Sequence, residues 1–321
     1  MSQAEQKRRT IVQQKRNMSL DNTSHSGRQG RDELVPSRYA VRVGEIDVLV
    51  ISDGMIWIPA EAMATNADPA VRAAWLSDRF LPQDELDWAL NAFVVRSGSQ
   101  TILIDSGLGG EYAGYPRAGQ FVDRLEAAGV DLASVTDVVL THMHFDHVGG
   151  LLVDGVKERL RPDLRVHVSA AEARFWESPD FSRTAMPPEF VEVIRRSSRQ
   201  FLDEYRTHLR TFEEEYEVAP GVVVTRTGGH TPGHSVVRLA SGGDRLMFAG
   251  DALLPASFDH PEWHNGFEHD PEEATRVRLR LMRELAETGS WLVSTHMPFP
   301  SVGHVAAAGD LFRWVPAWWD Y

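Results

Sequence analysis

The segment THMHFDHVGG combines three histidines and an aspartate within six positions: His142, His144, Asp146 and His147. Imidazole and carboxylate are the ligands that zinc accepts when thiolate is absent, and the chain contains no cysteine. In extended backbone His142 and His144 point to the same side, because side chains alternate along a strand. The turn that follows brings Asp146 and His147 to an adjacent point. One short loop is therefore predicted to supply ligands to two metal ions.

Three more candidate ligands follow predicted strands elsewhere in the chain: His230, Asp251 and His296. In layered α/β folds, ligands bind at the ends of strands, so these side chains are expected to meet at one edge. A pair of metal ions about 3.5–4 Å apart acts as a clamp that activates water. Five histidines and two aspartates match the ligand count of such a pair, in which a carboxylate can bridge both ions.

Strands and helices must alternate to position these residues. Strands are predicted at 45–54, 137–140, 165–169, 221–229, 235–240, 244–251 and 291–294, a hairpin at 92–107, and helices at 119–130, 187–209 and 269–289. No linker interrupts this pattern, which predicts a single domain over 35–321 with helices on both outer faces of a sheet core. The polar stretch 1–34 is expected to be a disordered tail, or an arm that packs on a partner subunit.

The composition disfavours several classes of partner. The 321 residues include 46 acidic and 33 basic side chains, a net charge of −13 that disfavours nucleic acids and anionic membranes. No apolar run approaches the ~20 residues of a membrane helix. Arg8-Arg9 could begin a twin-arginine signal, but no apolar stretch follows, so a cytoplasmic location is expected. The expected partners are a small-molecule substrate with an apolar portion and a second copy of the chain, as a homodimer.

The motif HMHFDH, with GGHTPGH at 228–234, AGD at 249–251 and STH at 294–296, resembles the metallo-β-lactamase superfamily of hydrolases. The resemblance covers residues from about 40 to 305 and implies an α/β fold, a four-layer αββα sandwich. It also implies two Zn²⁺ ions, or other divalent metals. His142, His144 and His230 would hold the first ion, Asp146, His147 and His296 the second, and Asp251 would bridge them. DSG at 105–107 is similar to the family's Asp-Thr-Gly turn, so Asp105 would orient a ligand histidine.

Within the superfamily, SDG at 52–54, GGHTPGH and the helix beginning HDPEEA at 269–274 are most similar to the branch of quorum-quenching lactonases and methyl parathion hydrolase. This resemblance implies a dinuclear zinc enzyme that opens lactones, acyl-homoserine lactones among them, or cleaves esters with a metal-bridging hydroxide. Asp146 and Asp251 are its candidate catalytic residues, with Asp146 passing a proton to the leaving group. An organophosphate triesterase is the alternative. A mononuclear-iron or non-hydrolytic metal-binding relative is a second alternative, which the complete ligand set disfavours.

Some acyl-homoserine lactonases of this fold carry a tyrosine three positions after the bridging aspartate. Leu254 occupies that position here, so a phenol that would stabilise a substrate oxygen is missing. Trp176, Trp263, Leu254 and His264 are candidates for the substrate pocket, because such pockets are mostly lined by apolar and aromatic groups. Core packing is the alternative role of these aromatic residues. The C-terminal Trp314, Trp318 and Trp319 are expected to pack internally or at a subunit interface.

Overall fold

The computed structural model describes residues 35–110 and 115–318, and in these ranges two seven-stranded sheets form the centre of the molecule. The predicted tail 1–34 and Trp319 lie outside the described residues. The first sheet contains, in spatial order, β1 (Arg38–Val43), β2 (Ile46–Pro59), β3 (Glu85–Ser97), β4 (Gln100–Ile104), β5 (Asp137–Val139), β6 (Arg165–Ser169) and β7 (Leu209–Phe212). The second contains β8 (Glu215–Ala219), β9 (Val222–Arg226), β10 (Ser235–Ser241), β11 (Asp244–Phe248), β12 (Trp291–Val293), β13 (Gly303–Ala308) and β14 (Leu311–Pro316).

Eight α-helices occur in the described ranges. They are α1 (Ala60–Met63), α2 (Pro69–Asp78), α3 (Phe121–Ala127), α4 (Phe145–Val148), α5 (Val156–Arg159), α6 (Ala170–Glu177), α7 (Pro188–Tyr205) and α8 (Pro271–Thr288). Short 3₁₀ helices cover Leu132–Ser134, Gly149–Leu152, Arg206–His208 and Pro255–Phe258. The predicted ends of α8 are confirmed, because Asp270 caps its first turn and Gly289 ends it in a left-handed conformation. No helix in these ranges is long and apolar enough to span a membrane.

The buried apolar residues form three layers of core. Between the sheets, rings such as Phe93 and Phe248 meet with their centroids 4.7 Å apart. The outer face of the first sheet packs against α3, α6 and α7, and that of the second packs against Leu281 and Leu285 of α8. The predicted four-layer αββα sandwich is therefore confirmed.

Strand direction brings the ends of several strands to one edge. Strands β4, β5, β6 and β7 run parallel to one another, and β11 runs parallel to β12. Parallel neighbours end at the same side of a sheet, so the loops that follow β5, β11 and β12 emerge close together. The segments after these three strands contain six of the seven candidate ligands, and the seventh, His230, follows β9.

Several predicted boundaries are wrong. Strand β2 does not end at the Asp53-Gly54 pair but continues to Pro59, with a register shift between Ser52 and Gly54, and its partner β3 begins as early as Glu85. The predicted helix 187–209 ends at Tyr205, and β7 begins at Leu209. The aromatic C-terminal segment forms the edge strand β14, whose residues are exposed or half-buried. The sequence pattern does not predict this strand.

Gly54 offers a test of the bulge in β2. Its φ is +111°, and a Cβ atom there would lie 1.8 Å from the carbonyl oxygen of Arg117. We expect Gly54→Ala to lower the free energy of unfolding by about 3 kcal/mol or more, because backbone strain and overpacking add. Gly98→Ala is the matched control, since Gly98 has φ +58° and no neighbouring atom within 4 Å. It should cost about 1–2 kcal/mol in the same urea titrations; equal losses would contradict this account of Gly54.

Candidate metal centre

Loops from both sheets build the candidate metal centre. The residues after β5 place His142 and His144 before α4, which carries Asp146 and His147 in its single turn. The second sheet contributes the loop between β9 and β10 and the residues after β11 and β12. These carry His230, Asp251 and His296, and every one of the seven side chains is buried.

The ligand atoms of these residues fall into three groups, each with all its atoms within 4.8 Å of one another. The groups are His142, His144 and His230; His142, His147 and Asp251; and Asp146, His147 and His296. Each group could hold a metal ion, and the first and third coincide with the two ligand sets expected from the sequence. The structure thus brings together all seven predicted ligands.

The Asp251 carboxylate lies between the first and third groups. Its Oδ2 atom is 3.4 Å from His230 Nε2 and 3.9 Å from His142 Nε2. The same oxygen is 3.0 Å from His296 Nε2, and Oδ1 is 3.3 Å from His147 Nε2. A carboxylate in this position has an oxygen near the ligand atoms of both groups, as a bridging ligand requires.

Unpaired buried atoms show that the residues fit a metal. In the described part of the chain, the imidazole atoms His142 Nε2, His144 Nε2, His147 Nε2 and His230 Nδ1, and the carboxylate atom Asp251 Oδ1, are buried without a hydrogen-bond partner. Such an atom costs about 1–3 kcal/mol unless something binds it. Burial lowers the pKa of His142, His144 and His230 well below the ordinary value, which keeps their rings neutral. Neutral imidazole is the form that binds a metal.

Polar neighbours fix the orientation of the ligand side chains. Asp105 Oδ2 lies 2.8 Å from His147 Nδ1 and accepts a hydrogen bond from the Thr141 hydroxyl. Burial opposes a charge on His147, but the carboxylates around it, Asp105 among them, raise its pKa well above the ordinary value. His296 Nδ1 is 2.8 Å from the Ala89 carbonyl oxygen, so its Nε2 atom faces Asp251.

Glu172, in α6, is a buried residue that the sequence pattern does not single out. Its Oε1 accepts hydrogen bonds from the Met143 backbone N–H (2.9 Å) and the Trp176 indole N–H (2.6 Å). Its Oε2 accepts from the Thr231 hydroxyl (2.7 Å) and the Gly233 N–H (3.0 Å). One carboxylate thus ties the loop of His142 and His144 to the loop of His230. The sequence feature that could have identified Glu172 is its position four residues before Trp176, on the buried face of one helix.

A cleft opens onto the metal centre. Its polar lining is His144, Asp146, His230, Asp251, Asn265 and His296, and its apolar lining is Ile56, Ile58, Trp88, Phe145, Phe190, Ile194 and Phe267. No lysine or arginine occurs among these described residues, so the cleft suits a neutral, apolar substrate. The sequence pattern does not single out Trp88, although its ring centroid lies 4.8 Å from that of His296.

The four candidates for the substrate pocket lie outside this lining. Trp176 is buried behind His144, with ring centroids 5.7 Å apart. Trp263 and Leu254 line a second, adjacent cavity. His264 is half-buried, and its backbone bonds the side chain of Asn66. The structure therefore brings two of the four near the cleft and places one behind a ligand.

Comparison with known proteins adds to this geometry. The family model described as the metallo-beta-lactamase superfamily matches residues 87–296. The structure of AidC, a dizinc quorum-quenching lactonase in complex with the product N-hexanoyl-L-homoserine, is similar with a TM-score of 0.81 and 25% identity, over 89% of this chain and 99% of that one. The structure of AbOPH, a hydrolase in the beta-lactamase superfamily, is similar with a TM-score of 0.78 and 28% identity over the same shares.

Two curated relatives match about half of this chain. An atrochrysone carboxyl ACP thioesterase of Passalora fulva is 32% identical over 51% of this chain and 38% of its own length. An N-acyl homoserine lactonase of a Bacillus species is 23% identical over 51% of this chain and 58% of its own length. The matched segments thus span roughly half the length of these relatives.

Replacing a ligand should change the metal content in a defined way. We expect the purified protein to hold about two divalent ions per chain, as a paired centre requires. His296→Ala should reduce that content to about one, because it removes a ligand of the third group alone. His304→Ala is the control, since His304 lies away from the three groups and bonds the Gly289 carbonyl. Elemental analysis gives the measurement, and unchanged content in His296→Ala would contradict the assignment.

Glu172→Gln tests the link between the two loops. A glutamine presents an NH₂ group to one pair of donors, so one loop loses its anchor. We expect metal affinity at the His142, His144 and His230 group to fall about 10–100-fold, the usual cost of losing a residue that positions ligands. Competition with a coloured chelator measures this affinity. Glu177→Gln on the same helix is the control, because Glu177 makes an exposed ion pair with Arg206. Equal affinities in the two variants would refute the role of Glu172.

Proposed function

This chain belongs to the metallo-beta-lactamase superfamily, and from that premise we propose that it is a dinuclear zinc hydrolase that opens lactones. The observation that carries the proposal is the Asp251 carboxylate, which lies between two groups of buried ligands at the base of an apolar cleft. The similarity of this chain to a dizinc lactonase and to an N-acyl homoserine lactonase supports this reaction. The family and these relatives also agree with the expectation of a metal-dependent hydrolase.

The ligand groups assign a place to each cation. His142, His144 and His230 would hold one, Asp146, His147 and His296 the other, and Asp251 would contact both. Bound divalent cations would supply an acidified water molecule and polarise the carbonyl oxygen of the substrate. The reaction then needs no nucleophilic side chain.

The side chains of the cleft would bind the substrate and deliver a proton to its leaving group. Asp146 lines the cleft, with its Oδ2 3.5 Å from His296 Nε2. From there it can pass a proton to the ring oxygen that leaves when a lactone opens, which produces a hydroxy acid. Ile58, Phe190 and Phe267 form part of the apolar wall, which excludes water and favours a neutral substrate with an apolar portion. Assembly as a homodimer and a cytoplasmic location stay predictions.

A panel of substrates tests this function. We expect the zinc-loaded protein to hydrolyse acyl-homoserine lactones and simple γ- and δ-lactones faster than an aryl ester or a phosphotriester. Asp251→Asn keeps the side-chain shape but removes the shared charge, so kcat/KM should fall about 1000-fold, because metal ions contribute several kcal/mol to such reactions. The control is Asp259→Asn, whose carboxylate lies away from the cleft and pairs with Arg79.

The same panel separates the alternatives. Faster turnover of the phosphotriester than of any lactone would replace the lactonase proposal with the organophosphate triesterase. About one iron per chain and no hydrolysis would overturn the dinuclear hydrolase altogether.

A further inference from the structure

Strand β3 of the first sheet receives a segment of the second sheet along one of its edges. Its neighbour β4 ends opposite Phe93, so β4 does not pair with the residues of β3 before that point. Backbone groups of alternate residues point to the same edge of a strand, which directs Ala89 and Asn91 to the space beyond the end of β4. The segment 295–297, which follows β12 and contains His296, lies against them in that space.

Asn91 holds this segment on both sides of His296. Its backbone N–H donates to the Thr295 carbonyl oxygen at 3.0 Å. Its side-chain Nδ2 donates to the same oxygen at 2.9 Å and to the Met297 carbonyl oxygen at 2.8 Å. The His296 ring is held by Ala89, whose carbonyl oxygen lies 2.8 Å from Nδ1. Asn91 thus fixes the backbone before and after the ligand histidine, whose Nε2 atom faces the metal centre.

The Asn91 amide has a cost that packing alone does not explain. The side chain is 1% exposed, and its Oδ1 atom is buried without a hydrogen-bond partner in the described part of the chain. A buried amide oxygen without a donor lowers the free energy of unfolding, whereas a leucine of similar volume would fill the same space without that loss. The two bonds made by Nδ2 are therefore what asparagine contributes here and an apolar residue would not.

The third ligand group combines residues from both sheets. Asp146 and His147 lie on α4, which follows β5 of the first sheet, whereas His296 follows β12 of the second. Asn91 belongs to the first sheet and bonds the segment of the second sheet that carries His296. Glu172 has the corresponding place at the first ligand group, where it joins one loop of each sheet.

We propose that Asn91 is a positioning residue that holds His296 for the metal ion of the third group, and that Asn91 and Glu172 each control the affinity of a different ion. This inference rests on the paired metal centre of the proposed function and adds that its two ions depend on different neighbouring residues. Asn91 acts through His296. Loss of its amide should therefore weaken the ion of the third group and leave the ion of the first group almost unchanged.

Zinc titrations of the full chain test this assignment. Competition with a coloured chelator gives a dissociation constant for each ion, and His296→Ala identifies the constant of the third group as the one that it removes. We expect Asn91→Leu to raise that constant about 10–100-fold, the usual cost of losing a residue that orients a ligand. The constant of the first group should change less than about 2-fold, since both side-chain bonds of Asn91 go to the segment of His296. Glu172→Gln should show the opposite pattern.

Ser97→Ala is the matched control from the same strand. Ser97 is buried, and its hydroxyl donates to the Pro220 carbonyl oxygen at 2.8 Å, in the turn between β8 and β9. Its replacement should leave both zinc constants unchanged. Asn91→Ala is a second variant, which removes the amide without adding apolar volume. A general loss of folding would weaken both ions, so the comparison of the two constants separates positioning from folding.

The possible outcomes separate this inference from the proposed function. Equal weakening of both ions in the two Asn91 variants, or an unchanged constant for the third group, would overturn the role of Asn91. A selective loss at the third group would support that role even if the wild-type protein opens no lactone, because zinc binding is measured without substrate. One zinc ion per chain in the wild-type protein would overturn the paired centre and this assignment together.

Discussion

Seven imidazole and carboxylate side chains lie almost entirely out of water at one edge of two sheets, and their burial sets the requirements for the surrounding structure. Burying such groups without partners costs free energy, and several of their nitrogen and oxygen atoms have no partner in the described residues. Burial keeps His142 and His230 neutral, whereas His296 and His147 hold Asp251 charged by lowering its pKa against the effect of burial. Divalent cations at this place would offset the cost and complete the arrangement.

Buried carboxylates hold the loops that carry these ligands. Glu172 accepts three hydrogen bonds from two loops and a fourth from Trp176 on its own helix, and Asp105 holds both His147 and the backbone of Thr141. Asp53 is a third buried carboxylate that holds backbone segments. It accepts hydrogen bonds from the Leu108 N–H at 2.8 Å and the Phe121 N–H at 2.7 Å. Burial raises the pKa of Asp53 to about 6, although these donors favour its charged form. Backbone donors thus replace water around each carboxylate, and the loops are rigid as a result.

The sheets position the metal ligands, whereas the long loop before α8 shapes the binding space. Strand ends and short turns place the ligands, because backbone hydrogen bonds leave them little freedom. The loop between β11 and α8 forms walls of both cavities, and the buried pair of Glu268 and Arg278 keeps it in place. A change in this loop can therefore alter the shape of the binding space without moving the ligand groups.

Local patterns in the sequence determined the ligands, the fold class and the ends of α8. His142 and His144 alternate with strand periodicity, and His230, Asp251 and His296 follow apolar runs whose ends parallel packing brings together. Capping by Asp270 and the left-handed Gly289 are equally local. Contacts within a few residues decide these features, so they can be read without the tertiary structure.

Tertiary structure alone decided which residues surround the ligands. The bonds from Glu172 to Thr231 and Gly233 join residues 59 and 61 positions apart. Trp88 reaches the cleft because β3 begins earlier than its apolar run suggests, whereas Trp176 turns inward to meet Glu172. An aromatic side chain packs equally well in a core or along a cleft, so its type does not determine its place. Its place is determined by which distant segments of the chain pack beside it, and a local sequence pattern contains no information on that packing.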